Sequence, residues 1–590
     1  MYPYAMIGNC QVSALVSEQA SIDWYCAPRP DSEPLFGRLL DPAGGSFSLG
    51  PPHPGQIVQS YIENTNVLET RFTDAAGNSF AVIDFAPCFE QYGRMYRPTL
   101  LIRIVRPING APQVVATCRP VRGWSKQPLQ PRRGNSHLDF PGLGDELRLT
   151  TTMPLTYLLD GAPMVVTQPL YFAFTWGIPV QDDLPFVCES FLQKTIQHWR
   201  YWVKHCSIPS QFQHEVIRSA LTLKLHCYEE TGAILAAITT SLPEEIGGVR
   251  NWDYRYCWLR DACFIVSAFY RLGHFAELEG LLLFLLNVLQ RDDGQRLHPV
   301  YKVDGSLPLP ELSLDHWEGY QNSRPVRVGN QAAEHIQNDV YGEVLLTLAP
   351  LYFDDRFSYL RSERYAAIFH RLAAQAYQAL IEPDAGLWEQ RDGWKVHSFT
   401  LLMSWAGLDR YVRLLEEQRI SGDPAEATRW RDAAYQALLQ AAHQGVITNS
   451  PSDPSPDASL LLLPGVRFPV TAINRDTVAA IQAQLGADPN HAELPAFLYR
   501  YRRQDDFGRP AHAFLICSYW LVEALARLGE PDQARDILQR SLAAANALGL
   551  CAEHFDPVHQ QQTGNFPQCY SHVGLINGAF AVSPPWAEIL

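Results

Sequence analysis

Four short segments concentrate the residues able to do chemistry. Gly248–Asp261 reads GVRNWDYRYCWLRD, with two Trp, two Tyr, three Arg and two Asp in fourteen residues ahead of a helical pattern. Aromatic faces stack on sugar rings, while Asp and Arg accept from and donate to vicinal hydroxyls. A capped helix start with an Arg–Asp pair has the same composition. Glu311–Asn330, ELSLDHWEGYQNSRPVRVGN, repeats the mixture of acids, aromatics and arginines. Gly386–Arg391 (GLWEQR) and Cys551–Asp556 (CAEHFD) each place a Glu in apolar or aromatic company between helices. Such a setting raises a carboxyl pKa, as a general acid requires. Glu389 and Glu553 are the carboxylates so placed, but no spacing rule pairs residues 164 apart. Each could as well be a solvated or ion-paired surface residue.

Other chemistries lack their signatures. There is no Gly-x-x-x-x-Gly-Lys or Gly-x-Gly-x-x-Gly phosphate loop, no His-Glu-x-x-His and no Gly-x-Ser-x-Gly elbow. No cofactor and no metal are expected. The net charge is −15, without a basic patch, which argues against nucleic acid and anionic membranes as partners. Twelve cysteines stand apart with no Cys-x-x-Cys, and are expected to be buried, reduced thiols. The N-terminus MYPYAMIGNCQVSALV lacks signal-peptide architecture, and apolar runs such as Leu281–Leu286 are too short to span a bilayer. The expectation is a cytoplasmic protein of unspecified oligomeric state.

The elements that must position these segments fall into two regions. Residues 1–185 alternate short apolar runs with Gly, Pro, Asn and Asp, as in Asn66–Phe72, Ser79–Phe85, Thr99–Val105 and Tyr171–Trp176. Thr73–Asn78 reads as a hairpin turn, and the spacing predicts an antiparallel β-sandwich. A linker helix is expected over 186–209. Beyond it the period is 3.6. Leu259–Leu272 places Leu259, Cys263, Val266, Phe269 and Tyr270 on one stripe and stops at Gly273. Ala513–Leu528 does the same with Cys517, Trp520, Leu521, Ala524, Leu525 and Leu528, ending at Gly529. About twelve helices are expected across 210–590, centred near 219, 266, 283, 344, 370, 407, 434, 460, 479, 520, 539 and 576. They could close into a ring of six hairpins or form an open solenoid, although the unequal loops disfavour a repeat. The long connection at 291–335 is expected to be functional.

Read together, Ile7–Ser32, Asn251–Ala262, Ser323–Asn330, Gln337–Val344, Gly386–Arg391, Cys517–Gly529 and Ala552–His572 resemble, in order, the motifs of glycoside hydrolase family 15. This is the glucoamylase and bacterial-type trehalase family, and the resemblance covers nearly the whole chain. It implies an α+β multidomain fold, an N-terminal antiparallel β-sandwich followed by an all-α (α/α)6 barrel. It implies an inverting exo-acting α-glucosidase releasing β-glucose from the non-reducing end of short α-glucosides. A trehalase of the same family, or a non-catalytic glucan-binding toroid, is the alternative.

Residue by residue, Glu389 matches the family's general acid and Glu553 its general base. Trp258, Arg260 and Asp261 match residues that hold the non-reducing glucose, with Tyr254 and Trp388 expected in the same pocket. Arg500 corresponds to an arginine near the leaving-group sugar. Gln390 stands where many relatives carry a second acid, and Arg509 and His512 replace small or acidic residues expected on the leaving-group side. The chain ends at Leu590 soon after the last helix, so small soluble glucosides are expected in preference to granular starch.

Overall fold

A computed structural model describes residues 1–291, 296–488 and 494–590; positions 292–295, within the connection expected at 291–335, lie outside the described residues. The N-terminal region forms two antiparallel sheets. One runs Tyr4–Gly8, Ser13–Ser17, Ser21–Cys26, Ser46–Gly50, Gln113–Arg119 and Met164–Val165, with Pro34–Phe36 beside Ser21–Cys26. The other runs Arg132–Arg133, His137–Asp139, Leu147–Thr151, Leu170–Trp176, Leu100–Asn109, Ser79–Phe85, Leu68–Thr73 and Gln56–Tyr61. The expected turn at Thr73–Asn78 joins two paired strands of this second sheet.

The central strands of the second sheet are apolar on both faces for a physical reason. Leu101, Val105, Phe172 and Phe174 point into the sandwich core. Their neighbours Ile102, Ile104, Tyr171 and Ala173 point the other way, into a core shared with the helices. Side chains alternate across a strand, so a sheet covered on both sides reads as continuous hydrophobicity. The helix Leu184–Lys204 packs on this outer face, its start capped by Asp183, which accepts from the Phe186 amide.

The remaining chain is a double ring of helices. Among the described residues, Leu259–Leu272, Asp339–Leu348, Ser398–Glu416, the short 3₁₀ turn Ala458–Leu462, Leu515–Arg527 and Cys569–Val582 contact one another in a closed inner circuit. Gln213–His226, Phe275–Arg291, Glu363–Gln378, Pro424–Gln440, Thr471–Leu485 and Pro531–Ser541 back them from outside. This closure is the (α/α)6 barrel, and an open solenoid is excluded. The one-stripe reading of the inner helices was too narrow: Asp261, Ala262, Ile265, Ala268 and Leu272 are also buried in Leu259–Leu272, whereas Tyr270 is exposed. An inner helix touches neighbours on both flanks, so burial extends around most of its surface. Gly342 and Gly407 let two inner helices approach closely; a Cβ on Gly342 would meet the Met403 carbonyl at 2.1 Å. No described helix is long and apolar enough to cross a membrane.

The sandwich holds one fully buried ion pair. Arg103 donates to both Asp84 oxygens at 2.7 and 3.1 Å and to the carbonyls of Phe47 and Ala20, which ties strands of both sheets together. Removing one member leaves a buried charge without its counter-ion. Asp84→Ala is expected to lose about 3–5 kcal/mol of unfolding free energy. A urea titration showing less than about 1 kcal/mol would contradict that reading.

Candidate active site

The segment Asn251–Trp258 is extended and leads directly into the inner helix Leu259–Leu272. It is fixed by a knot at Asp253. Arg255 chelates the Asp253 carboxylate with Nε at 2.9 Å and Nη2 at 2.7 Å, and both residues are buried. Tyr256 and the amide of Gly329 also donate to this carboxylate, which draws the 311–330 loop against the segment. Arg255 further donates to the Ser32 carbonyl at 2.6 Å, so the β-sandwich is part of the same knot.

Glu389 lies in a tight turn closed by its own amide donating to the Gly386 carbonyl at 3.0 Å. Glu389 adopts φ 60, a left-handed conformation rare for a side chain of this size, and strain of this kind collects at functional sites. Gly386, at φ 65, has no room for a side chain, since a Cβ would meet the His397 ring at 2.6 Å. Glu389 Oε1 accepts from Trp258 Nε1 at 2.7 Å and from Arg260 Nη1 at 3.1 Å. Its surroundings are therefore those of a polar clamp, not the apolar setting expected from neighbouring residue types.

Glu553 sits one residue before the strand His554–Asp556, which pairs with Ala513–Phe514 and Gln561–Thr563. It is 2% exposed. Tyr254 Oη donates to its Oε1 at 2.8 Å. Burial and the Glu553 charge hold the Tyr254 phenol well above its usual range, so it remains a donor. Among the described residues Oε2 has no hydrogen-bond partner, and it faces His554 Nδ1 at 3.4 Å.

All eight residues singled out from sequence (Glu389, Glu553, Tyr254, Trp258, Arg260, Asp261, Trp388 and Arg500) line one chamber at the mouth of the barrel helices, together with Tyr570 and Gln568. Trp388 is held by Asp457, to which its Nε1 donates at 3.0 Å. Arg260 also meets Asp261 at 3.2 Å and Tyr570 Oη at 3.2 Å. Burial raises the Asp261 carboxyl to about 6, against the pull of Arg260.

A second chamber adjoins the first and shares Tyr254, Trp388, Glu389 and Arg500 with it. Its other walls include Glu244, Trp252, His335, Gln390, Arg391, Asp505 and Phe507. Gln390 lies where a departure was expected to matter. Arg509 and His512 do not line either chamber: Arg509 is exposed, and His512 instead bonds the Glu244 carbonyl and Thr563.

Glu244 and His554 escaped the residue-by-residue sequence reading. Glu244 accepts from Arg500 at 3.1 Å and Trp252 Nε1 at 3.0 Å, and His554 Nε2 lies 3.8 Å from it. Burial alone would raise the Glu244 carboxyl, but Arg500, His554, Arg250 and Trp252 pull it down to about 2. His554 thus stands between two carboxylates. In the sequence Glu244 stands just ahead of the Gly248–Asp261 segment, and His554 lies inside Cys551–Asp556 next to Glu553; neither position marks a role.

The C-terminal 211–580 match the family model for glycosyl hydrolases family 15, and 3–150 match the trehalase-like N-terminal domain. The trehalase of Mycolicibacterium smegmatis is 32% identical, with 98% of this chain and 90% of that protein covered. The trehalase of Thermoplasma volcanium is 29% identical, covering 100% and 93%. A crystal structure of a bacterial glucoamylase complexed with acarbose superposes with a TM-score of 0.66 over 98% of this chain and 94% of that one, at 12% identity; this similarity concerns the fold.

Asp261 provides a pH test. Its folded pKa of about 6 lies above the ordinary 3.8, so the carboxyl stabilises the fold most below the unfolded value. That contribution is lost as pH rises through 6. The difference corresponds to about 3 kcal/mol at neutral pH. Asp261→Asn is therefore expected to gain Tm relative to wild type at pH 8 and much less at pH 4. Parallel melting curves check it, and an equal shift at both pH values would exclude a raised Asp261.

Proposed function

The chain belongs to glycosyl hydrolases family 15, and within that family we propose that it is an inverting trehalase. The observation that carries this reading is the pair of adjoining chambers with Glu389 in their shared wall. A disaccharide laid across them places its glycosidic oxygen beside that carboxyl, with one glucose in each. The full-length relatives named as trehalases point the same way, and so does the N-terminal match.

In this reading Trp258, Arg260 and Asp261 bond the hydroxyls of the glucose whose anomeric carbon is attacked. Glu389 protonates the glycosidic oxygen. Glu553, its Oε1 held by Tyr254 and its side chain in the wall of the chamber, takes a proton from the attacking water. Inversion needs about 6.5–9.5 Å between the two carboxyls, room for that water on the face opposite the leaving group. His554 acts as a positioning residue between Glu553 and Glu244, and Glu244 holds the Arg500 guanidinium at the wall of the leaving-group chamber. One proton leaves Glu389 and one arrives at Glu553 in each turnover, so exchange with solvent restores both.

Trehalose makes the stereochemistry unusually informative. The attacked glucose inverts to β, while the leaving glucose keeps its own C1–O bond and stays α. The first products on proton NMR are expected to be equimolar α- and β-glucose. Initial α-glucose alone would require a retaining pair about 5–5.5 Å apart and would overturn the mechanism. A parallel assay on maltose, isomaltose and maltotriose distinguishes trehalase from glucoamylase-like action: faster turnover of these than of trehalose would favour the latter.

Two variants separate the roles. Glu553→Ala is expected to lose about 10²–10⁴-fold in kcat while still binding substrate, with its melting temperature little changed. Glu389→Gln is expected to lose comparably on trehalose but much less on α-glucosyl fluoride, whose leaving group needs little protonation. Equal losses on both substrates would remove Glu389 as the acid.

A further inference from the structure

All twelve cysteines are free, and nine are buried as expected; Cys118, Cys206 and Cys263 are partly exposed. Cys206 differs from the rest in its partner. Its Sγ lies 3.0 Å from His274 Nε2, and among the described residues no other thiol sulfur bonds an imidazole. Nδ1 of the same ring faces Glu277 Oε2 at 3.5 Å. Glu277 is itself anchored by Lys224 Nζ and Trp202 Nε1, each at 2.8 Å on Oε1. The Trp202 indole stacks on the His274 ring, with centroids 4.0 Å apart and planes 11° from parallel.

A carboxylate at Nδ1 favours the tautomer with its proton there, leaving the Nε2 lone pair toward the thiol. Nucleophile, base and orienting carboxylate are thus in sequence, the arrangement that activates a weakly acidic nucleophile. None of the three lines either sugar chamber. His274 and Glu277 instead border, with Trp202, a separate cavity of about 520 Å³, to which Met95 and Tyr201 add apolar wall; Cys206 itself is not among the residues that line it and meets it through the His274 ring.

We propose that Cys206 is a nucleophilic modification site that takes up apolar α,β-unsaturated carbonyl compounds by conjugate addition. The Cys206 sulfur bonds to the β-carbon while its proton passes to His274 Nε2. The C=C electron pair moves to the enolate, and the same proton returns from His274 to the α-carbon. The adduct contains every atom of both reactants, with no leaving group and no oxidant. Burial and the Glu277 charge push the thiol up to about 12, so little thiolate stands ready. Proton transfer to His274 therefore accompanies attack, as it does for a hydroxyl nucleophile beside a base.

The test is independent of the hydrolase reading. The native full-length chain is treated with limiting N-ethylmaleimide, an α,β-unsaturated imide, and labelling is followed at each cysteine by peptide mass mapping. Cys206 is expected to label at least about tenfold faster than Cys118 and Cys263, the other partly exposed thiols. His274→Gln is expected to slow Cys206 by about 10²-fold, the scale of a lost general base, while the labelling rates of Cys118 and Cys263 stay near wild type. Labelling of Cys206 no faster than Cys118 or Cys263 overturns the proposal. An unchanged Cys206 rate in a folded His274→Gln chain overturns it as well. Should that variant fail to fold, the wild-type order of labelling alone decides.

Discussion

Tyr254, Trp258 and Arg260 reach both proposed catalytic carboxylates from one seven-residue stretch of chain. Tyr254 holds Glu553, Trp258 and Arg260 hold Glu389, and the Tyr254 and Trp258 rings meet edge to face at 5.4 Å. An inverting reaction tolerates little error in the gap between acid and base. Glu389 sits in a loop between helices and Glu553 beside a small three-stranded sheet, so neither fixes the other. A shared rail does, because both separations are measured from the same backbone. The Asp253–Arg255 knot then becomes a structural requirement of the chemistry, since it fixes the rail.

The β-sandwich reaches this rail at Arg255 and the segments beside it at several further points. Ser32 accepts from Arg255, and Trp24 Nε1 donates to the Ile238 carbonyl at 2.7 Å. On the base side, Tyr2 donates to the Gly564 carbonyl, its amide to Gln562, and Asn546 donates to the carbonyls of Tyr2 and Tyr4. A Cβ on Gly564 would press on the Glu553 side chain, which shows how tightly that loop encloses the carboxylate. The N-terminal domain therefore acts as a buttress for loops that the barrel helices alone leave at their ends.

The site is assembled against local energetic preference. Asp261 is ionised only at the expense of burial, Glu244 stays charged only through its cationic partners, and Glu389 occupies a left-handed backbone conformation. These terms are sustained by the large apolar cores on either side, which supply stability far from the site. Such a division is the usual relation between a preorganised polar pocket and its scaffold.

Periodicity alone separated a β region from a helical one, placed the helix Leu259–Leu272 and its Gly273 stop, and located twelve helical centres that the double ring accounts for. These features are legible because each depends on neighbours along the chain. The resemblance of ordered motifs supplied the eight pocket residues, which spacing had left as unrelated loops. Ring closure, the burial of the inner helices around most of their surface and the polar clamp on Glu389 were decided only by tertiary structure. So were the placement of Glu244 and His554 behind Glu553, the absence of Arg509 and His512 from the chambers, and the pairing of Cys206 with His274. Each of these depends on a contact between residues far apart in sequence, such as Arg260 with Glu389 at a separation of 129. Local residue type records what a side chain can do; the environment that sets its charge and partners comes from chain segments that only folding brings beside it.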